Sequence, residues 1–422
     1  MNDNATIRRR HTACAFGTFV AAGAVSVALL GLTGAAQAAG FTLKEQSAAA
    51  LGNAFAGATA GAEDVTYMYF NPAGLALQSD NQVAAVANYI MVQGETDNAV
   101  GAPGEAGSGD AAEDALVPAA YGMWSISPDL KIGVGVNAPF GLSTKYTTTW
   151  AGRFDAVESA IQAINVNPAV AYRLTPELSV GVGLQIQSFD VTLSNMAGLP
   201  GLAEVNGDDW GFGATAGLLY EFSSDTRVGI GYRSQVAHTL EGDLTFSAVP
   251  GTVVPISADF TSPDSVSAGA YHAYNDKLAV MADIVWTRWS SFDELRITRD
   301  VDGVTVALTP EDWEDVWAIA LGATYTLSET VSLRGGLAYD QSPIPDNRRT
   351  PRLTDEDRIW TSIGAQFRPS PAVTIDAGYA HLFIKDSSVN LPDRTGVGGP
   401  PALTADYQNS ADILSIQAVF HF

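Results

Sequence analysis

The stretch "PDNRRTPRLTDEDR" places Arg348, Arg349, Arg352 and Arg358 close together in a chain of 422 residues. A guanidinium offers a planar fork of donors that grips a carboxylate in bidentate fashion. A carboxylate ligand is one partner for these arginines. The neighbouring Asp346, Asp355, Glu356 and Asp357 are the internal alternative. Arg153 in "WAGRF" and Arg334 in "SLRGG" pose the same choice. Enzyme chemistry finds no comparable set. His238, His272, His381 and His421 stand apart, and no serine occupies a Gly-x-Ser-x-Gly elbow. No spacing suits a metal, and the single cysteine, Cys14, lies in the leader. No catalytic residue, metal or cofactor is expected.

The elements that must position these arginines follow a leader. "MNDNATIRRR" is basic, residues 13–32 are apolar, and Ala36-Gln37-Ala38 is a small-residue cleavage site. Residues 1–38 therefore read as a signal peptide, with an uncleaved anchor as the alternative. The chain carries 46 acidic and 22 basic residues, a net charge of −24, which argues against a nucleic-acid partner. Only 16% of residues are charged, and mean hydropathy is +0.08. No apolar run beyond the leader is long enough for a membrane helix. An exported, apolar chain without a spanning helix fits a membrane β-barrel.

Alternation supplies the strands. In "WAIALGATYTL", Trp317, Ile319, Leu321, Ala323, Tyr325 and Leu327 face one way, and Ala318, Ala320, Gly322, Thr324 and Thr326 the other. A period of two with one oily face and one mixed face is a strand between lipid and lumen. Such segments fall near residues 83–92, 119–127, 130–137, 163–174, 177–193, 211–222, 226–238, 263–274, 277–289, 314–327, 330–340, 358–368, 371–384 and 411–422. Short turns alternate with long excursions between them. The sorting predicts an all-β fold: a 14-stranded antiparallel transmembrane barrel in the outer membrane of a Gram-negative bacterium. Tyr121, Trp124, Trp286, Trp289, Trp317, Tyr339, Trp360 and Tyr379 are expected in its aromatic girdle. The closing strand ends on Phe422, as barrels read by the barrel assembly machinery do. Outer-membrane lipid and lipopolysaccharide surround such a wall, and rim arginines could meet lipopolysaccharide phosphates. A barrel of this size is expected to be a monomer.

Residues 39–81 leave the pattern. They are rich in Ala and Gly, nearly uncharged, and broken by "YFNPAG". An apolar segment of this kind needs shelter, and the nearest is the lumen, which would otherwise hold a water channel. The expected organisation is a leader (1–38), an N-terminal hatch or plug (39–81) and a barrel (82–422). "YFNPAG" would be the turn where plug hands over to wall.

Four segments in this order resemble the outer-membrane long-chain fatty acid and hydrocarbon transporters of the FadL type. They are the "AGF" start, "ALGNAFAGATAGAEDVTYMYFNPAGLAL", "NAPFGLSTKYTTTWAGRFDA" and "PDNRRTPRLTDEDRIWTSIGAQF". The resemblance implies passive transport of a hydrophobic small molecule, a long-chain fatty acid before an aromatic hydrocarbon. Cargo would be captured at outer loops, held in an apolar lumen pocket, and released sideways through the wall. It implies gating or pocket roles for Phe41, Asn71, Pro72, Ala73 and Gly74. It places a lateral opening at a kink in the third strand, where Pro139 removes a ladder donor between Asn137, Ala138, Phe140 and Gly141. Tyr146, Trp150 and Phe154 are candidates for the capture groove. Arg153, Arg348, Arg349, Arg352 and Arg358 are candidates for the fatty-acid carboxylate. A general hydrophilic porin or an adhesin barrel is the rival reading; the porin would show large steady conductance.

Overall fold

The computed structural model describes residues 40–107, 109–198, 201–395 and 399–422. The signal-peptide reading of residues 1–38 lies outside the described residues. Fourteen staves form the wall: β1 Gln82–Thr96, β2 Ala115–Ser125, β3 Leu130–Asn137, β4 Glu158–Arg173, β5 Leu178–Met196, β6 Leu202–Glu221, β7 Thr226–Arg233, β8 Ser265–Ala273, β9 Leu278–Thr287, β10 Val316–Thr326, β11 Val331–Asp340, β12 Arg358–Ser370, β13 Val373–Ile384 and β14 Leu403–His421. Each is antiparallel to its neighbours, and β14 closes on β1 from Gln82↔His421 to Glu95↔Gln408. Closure of β14 on β1 leaves no terminal strand edge to hydrocarbon, which could not satisfy one. All fourteen expected strands are present.

Four of the short inner turns share one device. A polar side chain at the turn start accepts the N–H of the next strand's first residue: Ser127 from Leu130, Thr175 from Leu178, Asn275 from Leu278 and Ser328 from Val331, at 3.0–3.1 Å. Such side chains replace a backbone turn bond. The outer connections are richer in structure than expected. Val236–Phe246, Val253–Ser262, Glu294–Arg299 and Val304–Pro310 continue the sheet beyond β6, β7 and β8.

Facing follows the alternation. Trp317, Ile319, Leu321, Leu333, Leu337, Leu414 and Ile416 are exposed on the outer surface, while Met281, Asp283, Arg334 and Gln417 are buried inside. The girdle expectation needs three corrections. Tyr121, Trp289 and Trp360 are buried. Tyr121 donates its hydroxyl to the Gln46 carbonyl at 3.0 Å, Trp289 sits in a cluster with Phe41, and Trp360 packs edge-on to Phe55 at 5.7 Å. Nearness to a strand end, on which these three were placed, does not say on which face of the wall an aromatic lands.

Residues 40–81 pack against the inner face of the wall, with one four-residue α-helix, Ala48–Leu51, and 3-10 turns at Val65–Tyr69 and Pro72–Leu77. Polar ties reach many staves. Asp283 of β9 accepts the N–H groups of Gly57 and Thr59 at 2.5 and 3.0 Å. Arg334 of β11 pairs with Glu63 and with Asp376 of β13, each at 2.5 Å. Gln417 of β14 donates to Asp64 at 2.7 Å.

Candidate functional site

The N-terminal residues meet the wall at the kink. Gly141 donates its N–H to the Phe41 carbonyl at 2.9 Å, and Leu43 donates to the Pro139 carbonyl at 2.8 Å. Gln46 Nε2 donates to the Ala138 carbonyl at 2.7 Å. The cause lies in the ladder. β3 pairs with β2 only from Ala120↔Val136 to Ser125↔Lys131, and the next link outward is an isolated bridge, Ala112↔Thr144. On its other side the strand stays joined to β4, through Asn137↔Asn165 and then Gly141↔Gln162. Pro139 has no N–H to offer, so the chain bends between these two pairings. Leu43 lies beside this interval and belongs to the same apolar cluster as Ala115, Val117 and Ala138.

Phe41 begins an aromatic pocket. Its ring centroid lies 5.9 Å from Phe140, 6.5 Å from Phe189, 5.7 Å from Phe260, 5.0 Å from Trp289 and 5.6 Å from Trp313, mostly edge-on or tilted. Beyond it lies a cavity of about 90 Å³, lined by apolar groups such as Leu142, Val191, Leu240 and Ile344 and by three charged residues, Glu311, Arg348 and Arg352. A second cavity of about 130 Å³ lies nearer the 40–81 segment, against Leu43, Phe55, Phe70, Pro139 and Trp360.

The expected arginines separate. Arg349 is held by Asp346, Glu356 and the Asp355 carbonyl, and Arg358 pairs with Asp355. These two are therefore corrected from ligand contacts to internal ties, the alternative open in the sequence. Arg153 donates to the Trp150 carbonyl at 2.9 Å and lies over the Phe154 ring. Arg348 lines the cavity and pairs with Asp312. Arg352 lines it too and, among the described residues, its side chain donates only to the Glu158 carbonyl and Ser159 Oγ, at 3.2 and 3.1 Å. Among the described residues no carboxylate forms an ion pair with Arg352. Burial lowers its pKa to about 10, so it stays charged at neutral pH.

The capture-groove expectation also needs correction. Tyr146 and Trp150 are stacked at 4.2 Å, and Trp150 is fully buried. Trp150 Nε1 donates to the Ala156 carbonyl, and the pair joins Val389 and, from β14, Leu403 and Tyr407 in a small core. Phe154 is half-buried. Asn71 to Gly74 lie away from the kink. Asn71 caps Pro72–Leu77 and donates to the Thr59 and Leu218 carbonyls at 2.8 and 3.0 Å. Gly217 of β6 makes room for it, since a Cβ there would collide with Asn71 Oδ1. "YFNPAG" is thus an anchor on the wall within the segment, and the handover comes later, at β1.

Leu43, Trp313 and Glu311 were not singled out from sequence, and Trp289 was expected in the girdle rather than in a pocket. Leu43 had a visible signal, being apolar beside Phe41. Glu311 and Trp313 sit in "TPEDWEDVW", where nothing local distinguishes a pocket residue from a loop residue.

Comparisons with known proteins agree with this architecture. The sequence profile of the family described as outer membrane protein transport protein (OMPP1/FadL/TodX) matches residues 29–422. A 47 kDa outer membrane protein of Pasteurella multocida (strain Pm70) is 34% identical over 390 residues, covering 84% of this chain and 90% of the relative. The long-chain fatty acid transport protein of Escherichia coli O6:H1 is 29% identical over 402 residues, covering 85% and 90%. The crystal structure of a Pseudomonas aeruginosa FadL homologue superposes with a TM-score of 0.83 at 24% identity, covering 91% of this chain and all of that one.

Proposed function

Because this chain belongs to the OMPP1/FadL/TodX family of outer membrane transport proteins, we propose that its cargo is a long-chain fatty acid that leaves sideways through the wall. Transport of hydrophobic compounds across the outer membrane, without enzyme activity, follows from the family. The lateral route is inferred from geometry. One observation carries it: the aromatic pocket abuts the unpaired interval between β2 and β3, linked by the bond from Gly141 to the Phe41 carbonyl.

Residues 40–81 act as the hatch. Their ties to Asp283, Arg334 and Gln417 oppose an end-to-end channel. Cargo enters the aromatic pocket with its carboxylate toward Arg352 and its chain against Phe41, Phe189 and Phe260. Apolar burial stabilises the chain by about 25 cal/mol per Å². Movement of residues 41–43 withdraws Leu43 from the interval and opens a path to the bilayer. Uptake of labelled oleate against labelled toluene tests the cargo. Faster oleate uptake with low conductance supports the reading. Preferential toluene uptake would make this an aromatic hydrocarbon channel, and large steady conductance would make it a porin.

A further inference from the structure

Glu311 has no part in the reading above, yet it lines the same cavity as Arg352. Its Oε2 accepts the Trp313 indole N–H at 2.8 Å, and its Oε1 accepts no hydrogen bond among the described residues. The backbone is fixed as well: the N–H groups of Glu311 and Asp312 both donate to the Asp293 carbonyl, at 2.8 and 2.9 Å. The carboxyl is thus fixed in the lining of a mostly apolar pocket. The charges facing it are Arg352 and Arg348 from the 341–357 loop and Asp312 from its own loop. Arg348 is committed to Asp312. Asp155 and Tyr146, from the loop before β4, act on Arg352 in turn.

We propose that Glu311 selects the charged end of the cargo by its protonation state, an inference that rests on the carboxylate reading of this pocket. A bound carboxylate would share this small space with Glu311. Two carboxylates in one site resist joint ionisation, and a single proton between them makes a strong charge-assisted hydrogen bond. Cargo binding is therefore coupled to uptake of one proton from bulk water onto Glu311. The neutral Glu311 carboxyl donates to the cargo carboxylate, whose second oxygen is free for Arg352. An ionised Glu311 repels the cargo and competes for Arg352. A neutral alcohol of the same length makes no such demand. Burial already raises Glu311 to about 7, so the switch falls near neutrality. The indole that holds Glu311 also packs on Phe41, so Trp313 links the selector to the residue next to the wall opening.

The test measures octanoate and octanol binding by calorimetry to the full-length barrel in amphipol, between pH 6 and pH 8.5. Octanoate remains ionised throughout, since ordinary carboxyls titrate at about 4 to 4.5. The expected result is an octanoate affinity about tenfold weaker at pH 8.5 than at pH 6. Buffers of different protonation heat should report proton uptake near pH 7.5, and octanol affinity should stay flat. Glu311→Gln should flatten the octanoate profile, with its thermal midpoint reporting that the variant is folded. Octanoate binding without a pH slope, or a slope that persists in Glu311→Gln, overturns the proposal and leaves the carboxylate reading standing. Octanol binding without octanoate binding at any pH overturns the carboxylate reading itself.

Discussion

Leu43 donates its backbone N–H to the carbonyl of Pro139 at 2.8 Å, and its side chain is 2% exposed in the interval where β2 and β3 do not pair. A proline carbonyl freed from the ladder thus receives a donor from the segment inside the barrel. Opening the wall must break this bond and expose a leucine, at about 1.5–3 kcal/mol for the side chain. That sum is small enough for bound cargo to supply.

Leu43→Gly removes the stopper and keeps the backbone bond. Uptake of labelled oleate should lose its gating and rise several-fold at low concentration. The thermal midpoint should fall modestly, because only one side chain leaves a packed cluster. Rates equal to wild type would show that Leu43 does not limit release.

Pro139→Ala restores an N–H where β3 lacks one. Uptake should fall more than stability, since the new donor favours pairing toward β2. Stopped-flow uptake and a thermal scan of the same preparation separate the two effects. Normal transport would count against the kink.

Arg352→Met removes the cavity-lining cation that has no carboxylate partner among the described residues. A hydrogen bond to a charged group contributes about 1.5–3 kcal/mol, so fatty-acid affinity should drop by roughly 10- to 100-fold. Affinity for a neutral alcohol of equal length should change little. Arg349→Met, by contrast, should act on the stability of the outer loops, because its partners Asp346 and Glu356 belong to the protein.

Much of the wall was legible because its rule is local. Lipid outside and a mixed lumen inside force a period of two on every stave, so "WAIALGATYTL" announces itself without context. The facing of single aromatics was not legible. Trp289 stands next to outward-facing positions, but the chain leaves β9 before it and turns it inward. The pocket was hidden for a different reason. Phe41, Phe189, Phe260, Trp289 and Trp313 come from distant segments and meet only when the barrel closes. The arginine cluster shows the same limit within one short stretch. Arg349, Arg352 and Arg358 are the same residue type in one polar stretch, and backbone course sends two to internal carboxylates and one to the cavity.

Arg334→Met tests the hatch. It leaves Glu63 and Asp376 without their shared cation, and breaking a buried pair from one side costs about 3–5 kcal/mol. The expected outcome is a lower urea midpoint together with larger ion conductance, as residues 40–81 loosen from β11 and β13. A stability loss with unchanged conductance would place the pairing in the wall rather than in the closure of the lumen.

The central claim is release between β2 and β3, and the most direct measurement is to tie those staves together. Cysteines at Val117 and Ala138, joined by a short bismaleimide, would hold the interval shut, and the only native cysteine is Cys14. The account predicts that labelled oleate uptake falls to the level of cells lacking the protein, while each single-cysteine variant transports normally after the same treatment. Undiminished uptake through the cross-linked barrel would contradict it.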